Sequence, residues 1–206
     1  MKSNEKSRRS FLKKSTLLTA ASAFPSIWTS STNHYLPGPA NLPAKDKVNL
    51  ACIGIGNQGG SDVMSFAKTG LANFVAFCDV DMGAPQTRAV LEKFPDVPRF
   101  QDFRTMFDKM GRQIEAVAIG VPDHSHFLIT MMALALGKHV YVEKPMSLTV
   151  EEGKAMVAAE KKYGRILQVG SQQRSSVHFR IAANLVRNGM IGDIRDIYCR
   201  LGEFPE

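Results

Sequence analysis

The stretch Gly54-Ile55-Gly56-Asn57-Gln58-Gly59-Gly60 constrains this chain more than any other feature. It follows the apolar run Val48 to Ile53 and precedes residues of helical period, with Asp79 about twenty positions further on. Gly54 permits a tight turn, Gly56 lets the backbone approach a pyrophosphate, and Gly59 lets the following helix pack close to its strand. Asn57 and Gln58 stand where that helix opens, so they are cofactor-binding candidates, and the helix start offers unpaired N–H groups to phosphate oxygens. A glycine pattern alone is common. Strand, glycines, helix and trailing acid in this order describe a dinucleotide site.

At 206 residues and 44% hydrophobic composition, the chain can bury one substantial core and begin a second. The formal charge of +7 suggests nucleic acid until it is located, because +5 of it falls before residue 24. The remainder carries no basic stripe interleaved with aromatics, so nucleic acid is not an expected partner. The three cysteines, Cys52, Cys78 and Cys199, make no even set, and two lie in apolar strand-like runs where cysteine acts as a small hydrophobe.

The basic start has a pattern of its own. Ser7-Arg8-Arg9-Ser10-Phe11-Leu12-Lys13, an apolar segment from Thr16 to Ala23 and the small triplet Ala21-Ser22-Ala23 resemble a twin-arginine (Tat) export signal. That apolar segment is far shorter than the roughly 20 residues a spanning helix requires. Residues 24–45, rich in Ser, Thr, Pro and Asn, read as a linker. Export in the folded state suits a protein that acquires its nucleotide before leaving the cytoplasm. The Tat machinery is thus an expected partner, and the periplasm or another exported location the expected destination.

From residue 46 onward, strand-length apolar runs alternate with helical segments, which predicts an α/β fold, a doubly wound parallel sheet of Rossmann type over residues 46–191. Strands are expected near 48–54, 74–79, 114–120, 139–142 and 166–170. Helices are expected at 58–69, 84–94, 103–110, 124–137, 149–162 and 176–188, with Thr149 and Glu152 in capping-box spacing. The alternation from Gly192 to Leu201 predicts a half-buried strand, the first of a second α+β domain (192–206) of which the rest is absent.

Three strand ends carry the chemistry, since open α/β sheets bind ligands outside their carboxyl edge. Asp79 is the first polar residue after Phe74 to Cys78, placed to accept hydrogen bonds from ribose hydroxyls and to repel a 2′-phosphate, which favours NAD over NADP. Asp81 reads as a turn residue. After Ile114 to Gly120 comes Val121-Pro122-Asp123-His124-Ser125-His126, and after Val140 to Val142 comes Glu143-Lys144-Pro145. No cysteine or second acidic cluster accompanies Asp123, His124 and His126. The expected roles are therefore helix capping by Asp123 and nicotinamide contact by His126 rather than metal ligation.

Taken together, these motifs resemble the Gfo/Idh/MocA oxidoreductases over about residues 46–201. The resemblance implies that Lys144 lies beside the nicotinamide and hydrogen-bonds the substrate hydroxyl or carbonyl, which makes it the catalytic candidate. It extends the cofactor set to Val121, Pro122, Asp123, His126 and Glu143. It likewise implies, for Ser171-Gln172-Gln173-Arg174, that Gln172 contacts the nicotinamide end and Arg174 lies near substrate. Family members carry a C-terminal domain with the general acid/base and the oligomer face, which this chain is expected to lack.

The expected function is the nucleotide-binding portion of an exported NAD-dependent oxidoreductase acting on a sugar, cyclitol or polyol, homo-oligomeric when the second domain is present. One alternative is a glycosidase or lyase that oxidises its sugar transiently, although an exported hydrolase group of this superfamily departs from Glu-Lys-Pro at the lysine. A non-catalytic nucleotide-binding fragment is the other.

Overall fold

The structure, a computed structural model, describes Pro43 and residues 46–199. The twin-arginine segment, the linker apart from Pro43, and residues 200–206 lie outside the described residues.

Six parallel strands form one sheet: β1 (Val48–Ile53), β2 (Ala72–Cys78), β3 (Arg99–Phe100), β4 (Ala116–Ile119), β5 (His139–Val142) and β6 (Leu167–Val169). Their spatial order is β3-β2-β1-β4-β5-β6, so the chain runs outward from β1 in one direction and returns to build the other half from β4. The order reverses between β1 and β4, which opens a crevice beyond their carboxyl ends. The helices are α1 (Asn57–Thr69), α2 (Arg88–Lys93), α3 (Phe103–Met110), α4 (His126–Ala135), α5 (Val150–Tyr163) and α6 (Val177–Arg187).

Strand alternation divides the core between the two faces. Ala51, Ile53, Ala76, Cys78, Val117, Ile119, Val140 and Val142 point to one face, where they meet Met106 and Phe107 of α3, Ile129 and Leu134 of α4 and Met156 of α5. Leu50, Cys52, Phe77 and Ala118 point to the other, against Val63 of α1 and Val90 and Leu91 of α2. A strand covered on both sides must be apolar throughout, and Leu50 to Ile53 are all buried. Burial pushes the Cys52 and Cys78 thiols up, that of Cys78 to about 12, so neither is a thiolate at neutral pH.

Local signals fix several boundaries. Thr149 caps α5 through its hydroxyl, which accepts from the Glu152 N–H at 3.2 Å, while the Glu152 carboxylate accepts from the Thr149 N–H at 3.1 Å. Asp102 caps α3 by accepting from the Arg104 N–H at 2.7 Å. The expected helices at 84–94 and 124–137 each begin as a short 3-10 turn, Pro85–Thr87 and Asp123–Ser125, before the α-helix proper. The two-residue β3 escapes a periodicity reading because it is too short to alternate.

Among the described residues, no strand is seen where a half-buried one is expected from Gly192 to Leu201. Residues 193–199 have no regular structure and are exposed. Helix α6 likewise has no buried residue, and Val177, Phe179, Ile181 and Leu185 are exposed.

Candidate functional site

The parallel ladder continues one residue past most of the strands, and that extra row holds the residues singled out by the sequence. Asp79 N–H donates to the Phe100 carbonyl (3.0 Å), Gly54 to Cys78 (2.8 Å), Gly120 to Ile53 (2.8 Å), Glu143 to Ile119 (2.9 Å) and Gly170 to Val142 (2.8 Å). Five residues from distant parts of the chain thus form one edge above the switch point.

At its centre, glycine backbones touch. Gly54 has φ +77°, and a Cβ there would lie 2.5 Å from the Gly120 carbonyl oxygen. A Cβ on Gly59 would collide with the Gly54 carbonyl, and one on Gly120 would sit 2.6 Å from the Gly59 Cα. The turn after β1, the start of α1 and the end of β4 therefore interlock through Gly54, Gly59 and Gly120. Gly120 stands outside the spaced-glycine pattern, and only its position after the apolar run Ala116 to Ile119 could have flagged it. Gly56 differs, because a Cβ there would meet side chains and no backbone, at 2.8 Å from Gln86 Cγ and 3.7 Å from Thr87 Cγ2.

Helix α1 opens without a capping side chain and with no acidic residue in its first turn. Its first N–H groups are therefore left toward the crevice, where the helix dipole favours an anion. Asn57, exposed and at φ +45°, begins the helix in the left-handed region that asparagine tolerates better than most residues. Gln58 follows it, half-buried.

Asp79 is held from two sides. Its Oδ2 accepts from the Ile55 N–H at 2.9 Å and its Oδ1 from the Asp81 N–H at 3.1 Å, which fixes the carboxylate at the crevice wall with lone pairs to spare. Asp81 in turn accepts from the Gly83 N–H at 3.1 Å, as a turn residue does. The crevice here encloses a cavity of about 400 Å³ lined on one side by Gly54, Gly56, Asn57 and Asp79 and on the other by Gly120, Val121 and Pro122. Gln86, Gln101 and Phe103 also line it, and no motif in the sequence announces them.

The loop after β4 departs from expectation in two ways. Asp123 is exposed and lies inside the 3-10 turn it was expected to cap, with Pro122 at the cap position and no side-chain capping bond. His126 is 1% exposed, with Nε2 2.8 Å from the Val121 carbonyl oxygen and Nδ1 2.6 Å from the Pro145 carbonyl oxygen. Each ring nitrogen lies against a backbone carbonyl and the one that carries the proton donates, so His126 ties the β4 loop to the β5 loop. Among the described residues, no group of three or more His, Cys, Asp or Glu is arranged to hold a metal.

Beyond β5, Glu143 is 3% exposed, and its Oε1 accepts from the Tyr141 hydroxyl at 2.8 Å. A Cβ on Gly170 would collide with Glu143 Oε1 and stand 2.6 Å from the Tyr141 oxygen, so the glycine at the end of β6 makes room for this pair. Glu143 Oε2 accepts from the Lys144 N–H at 3.2 Å. Lys144 is exposed, and the Lys144–Pro145 peptide is cis. Gln172, in the 3-10 turn Gln172–Ser175, donates from Nε2 to Gln58 Oε1 at 3.1 Å, joining the end of β6 to the start of α1. Arg174 is exposed in the same turn. The row thus runs from the Asp79 carboxylate, past the uncapped start of α1, to a lysine, a buried glutamate and an amide pair.

Comparison with known proteins bears on this arrangement. The model of the Gfo/Idh/MocA oxidoreductase family, NAD-binding Rossmann fold, matches residues 48–171. An inositol 2-dehydrogenase of Salmonella typhimurium is 28% identical over 143 residues, which are 68% of this chain and 41% of the relative. A glycosyl hydrolase family 109 protein of Shewanella is 28% identical over 200 residues, 91% of this chain and 44% of the relative. Among solved structures, myo-inositol 2-dehydrogenase from Lactobacillus plantarum superposes with a TM-score of 0.60 at 26% identity, covering 72% of this chain and 43% of that one. The chain spans less than half the length of the relatives it matches.

Proposed function

Because the chain belongs to the Gfo/Idh/MocA oxidoreductase family, with its NAD-binding Rossmann fold, we propose that it is the nucleotide-binding portion of an NAD-dependent enzyme that oxidises or reduces a sugar, cyclitol or related polyol. The observation that carries this reading is the shared edge: Asp79, the glycine turn, Glu143 and Gly170 stand in one row beyond the sheet, with Lys144 next to it. The polyhydroxylated ring as substrate class is supported by the inositol dehydrogenases among the relatives.

Each residue then has a task. Asp79 accepts from the ribose hydroxyls, and its charge disfavours a 2′-phosphate. The N–H groups at the start of α1 take the pyrophosphate, to which Gly56 allows close approach. Val121 and Pro122 form the opposite wall, and Gln172, through Gln58, borders the nicotinamide end. Bound NAD supplies the hydride acceptor. Lys144 donates a hydrogen bond to the substrate oxygen and stabilises negative charge developing there, while Glu143, buried behind it, anchors the lysine backbone. The base that takes the hydroxyl proton would come from a C-terminal domain, which would also provide the oligomer face.

Calorimetric titration of NAD and NADP into the 206-residue chain tests the crevice. Tight NAD binding and weaker NADP binding are expected, and binding of neither by folded, nucleotide-free protein refutes the reading.

One observation favours a second reading, a glycosidase that uses NAD transiently: the match to the glycosyl hydrolase family 109 protein extends over 91% of this chain. Aglycone release without net change in nicotinamide absorbance would select it. We also propose export by the Tat pathway, supported by Arg8-Arg9 and the short apolar segment behind them. Substituting both arginines by lysine should retain the protein in the cytoplasm, and unchanged export of that variant would refute the proposal.

A further inference from the structure

A charged group lies on the α1 side of β5 and has no part in the function proposed above. Asp62, half-buried on α1, accepts from Gln58 Nε2 at 3.0 Å through its Oδ1. Gln58 Oε1 accepts from Gln172, so the two ends of one amide are set by the acid on one side and by the β6 loop on the other. Among the described residues, the titratable groups that interact electrostatically with Asp62 are Cys52 from β1, Tyr141 and Glu143 from β5 and its end, and Lys144 from the loop beyond. Only Lys144 is cationic. The Tyr141 ring, edge-on to Phe66 of α1 at 5.3 Å, closes the group off on the helix side.

With Asp62 ionised, the cluster of Asp62, Glu143 and Lys144 carries one net negative charge. With Asp62 protonated it is neutral. Burial, and next the Glu143 charge, push Asp62 up to about 6, against the opposing pull of Gln58 and Lys144, so both states are reached near neutral pH.

We propose that Asp62 is a positioning and charge-setting residue of the crevice, which aims Gln172 through Gln58 and, when ionised, favours the oxidised, cationic nicotinamide over the reduced, neutral one. The proposal rests on the reading of this crevice as an NAD site with the nicotinamide at the Lys144 and Gln172 end. Linkage gives the sign. A cationic ring beside the cluster stabilises the Asp62 carboxylate, so NAD+ binding near pH 6 expels protons whereas NADH binding does not. Equivalently, the preference for NAD+ over NADH grows as pH rises through the Asp62 titration, by a factor of about five to ten.

The test uses the full chain. NAD+ and NADH are titrated calorimetrically at pH 6 in two buffers of different ionisation enthalpy, and both affinities are followed from pH 5 to 8 in the wild type and in Asp62→Asn. The expected result is proton release with NAD+ alone, a rising NAD+/NADH affinity ratio in the wild type, and a flat ratio in the variant. Binding of both nucleotides with equal proton release, or a ratio that rises equally in Asp62→Asn, overturns the role of Asp62 and leaves the NAD site standing. Binding of neither overturns the crevice reading and this proposal with it. The wild-type measurement suffices if the variant does not fold.

Discussion

Replacing Gly120 by alanine isolates the interlocked glycine backbones as a physical constraint. Gly120 is not in the left-handed region, so alanine meets no backbone objection there and the whole effect is one of space. The added Cβ would stand 2.6 Å from the Gly59 Cα and 3.2 Å from both the Gly59 nitrogen and the Gly54 carbonyl oxygen. Carbon atoms in contact prefer about 3.5–4.0 Å, so α1 must retreat from β4 by roughly 1 Å. No rotamer change can relieve a backbone clash. Overpacking costs about 1–3 kcal/mol, and the upper end applies where backbone must move. At about 2–4 °C per kcal/mol for a domain of this size, melting should fall by about 6–12 °C. The same retreat moves the α1 N–H groups away from the pyrophosphate, weakening NAD about tenfold or more. Circular-dichroism melts and calorimetric titration read both effects. Gly56→Ala is the control: its Cβ would crowd only the Gln86 side chain, which can swing aside, and would touch Thr87 Cγ2 at an ordinary 3.7 Å, so the fold should hold while nucleotide binding is lost. If Gly120→Ala melts within about 1 °C of wild type and binds NAD normally, the interlock is not what shapes the crevice.

Asp79→Ala should weaken NAD by more than about tenfold and erase the preference over NADP, because the ribose acceptor and the repelling charge go together; competition between the two nucleotides reads the ratio. Removing the His126 ring deletes its hydrogen bond to a backbone carbonyl and leaves a cavity in a buried site, so His126→Ala should lose about 3 kcal/mol of stability in denaturant melts. The folded protein holds the Asp62 proton more tightly than the unfolded chain does, so this contribution to stability is present at low pH and is lost as pH rises through about 6. Asp62→Asn should therefore melt like the wild type near pH 4 and above it at pH 8, and a constant difference between the two would show that the carboxyl titrates normally. Lys144→Met should leave NAD affinity within about threefold while lowering turnover by about a hundredfold in a protein carrying both domains, as steady-state kinetics would show.

Much of the sheet was legible in the chain because both its faces are covered. Runs such as Leu50 to Ile53 and Val117 to Ile119 must then be apolar at every position and bounded by turns. The capping box at Thr149 and Glu152 was legible for a local reason, since its partners are three residues apart. What stayed hidden depends on contacts between distant segments. Gly120 matters because Gly59 lies against it, and Gly170 because Glu143 and Tyr141 need its missing side chain. Gln58 reaches Gln172 across 114 positions, and no local pattern predicts such a bond. Asp123 and His126 follow β4, but their local bonding is decided by the 3-10 turn and by the approach of Pro145, which no local pattern announces. Alternation in the sequence after Gly192 indicated a strand, but a strand exists only where a neighbour completes its hydrogen bonds.

The glycine interlock also decides how the crevice moves. Backbone pressed on backbone has no rotamers to explore, and the N–H groups of Gly54 and Gly120 are bonded into the central strands. Their amide hydrogens should be among the last in the domain to exchange with solvent. At the other end, the bond between Gln58 and Gln172 joins two side chains, one of them exposed, and can open as fast as an amide side chain turns. An arriving nucleotide therefore meets a site of two tempos, a fixed cradle for its phosphates and a far end that settles around the ring afterwards.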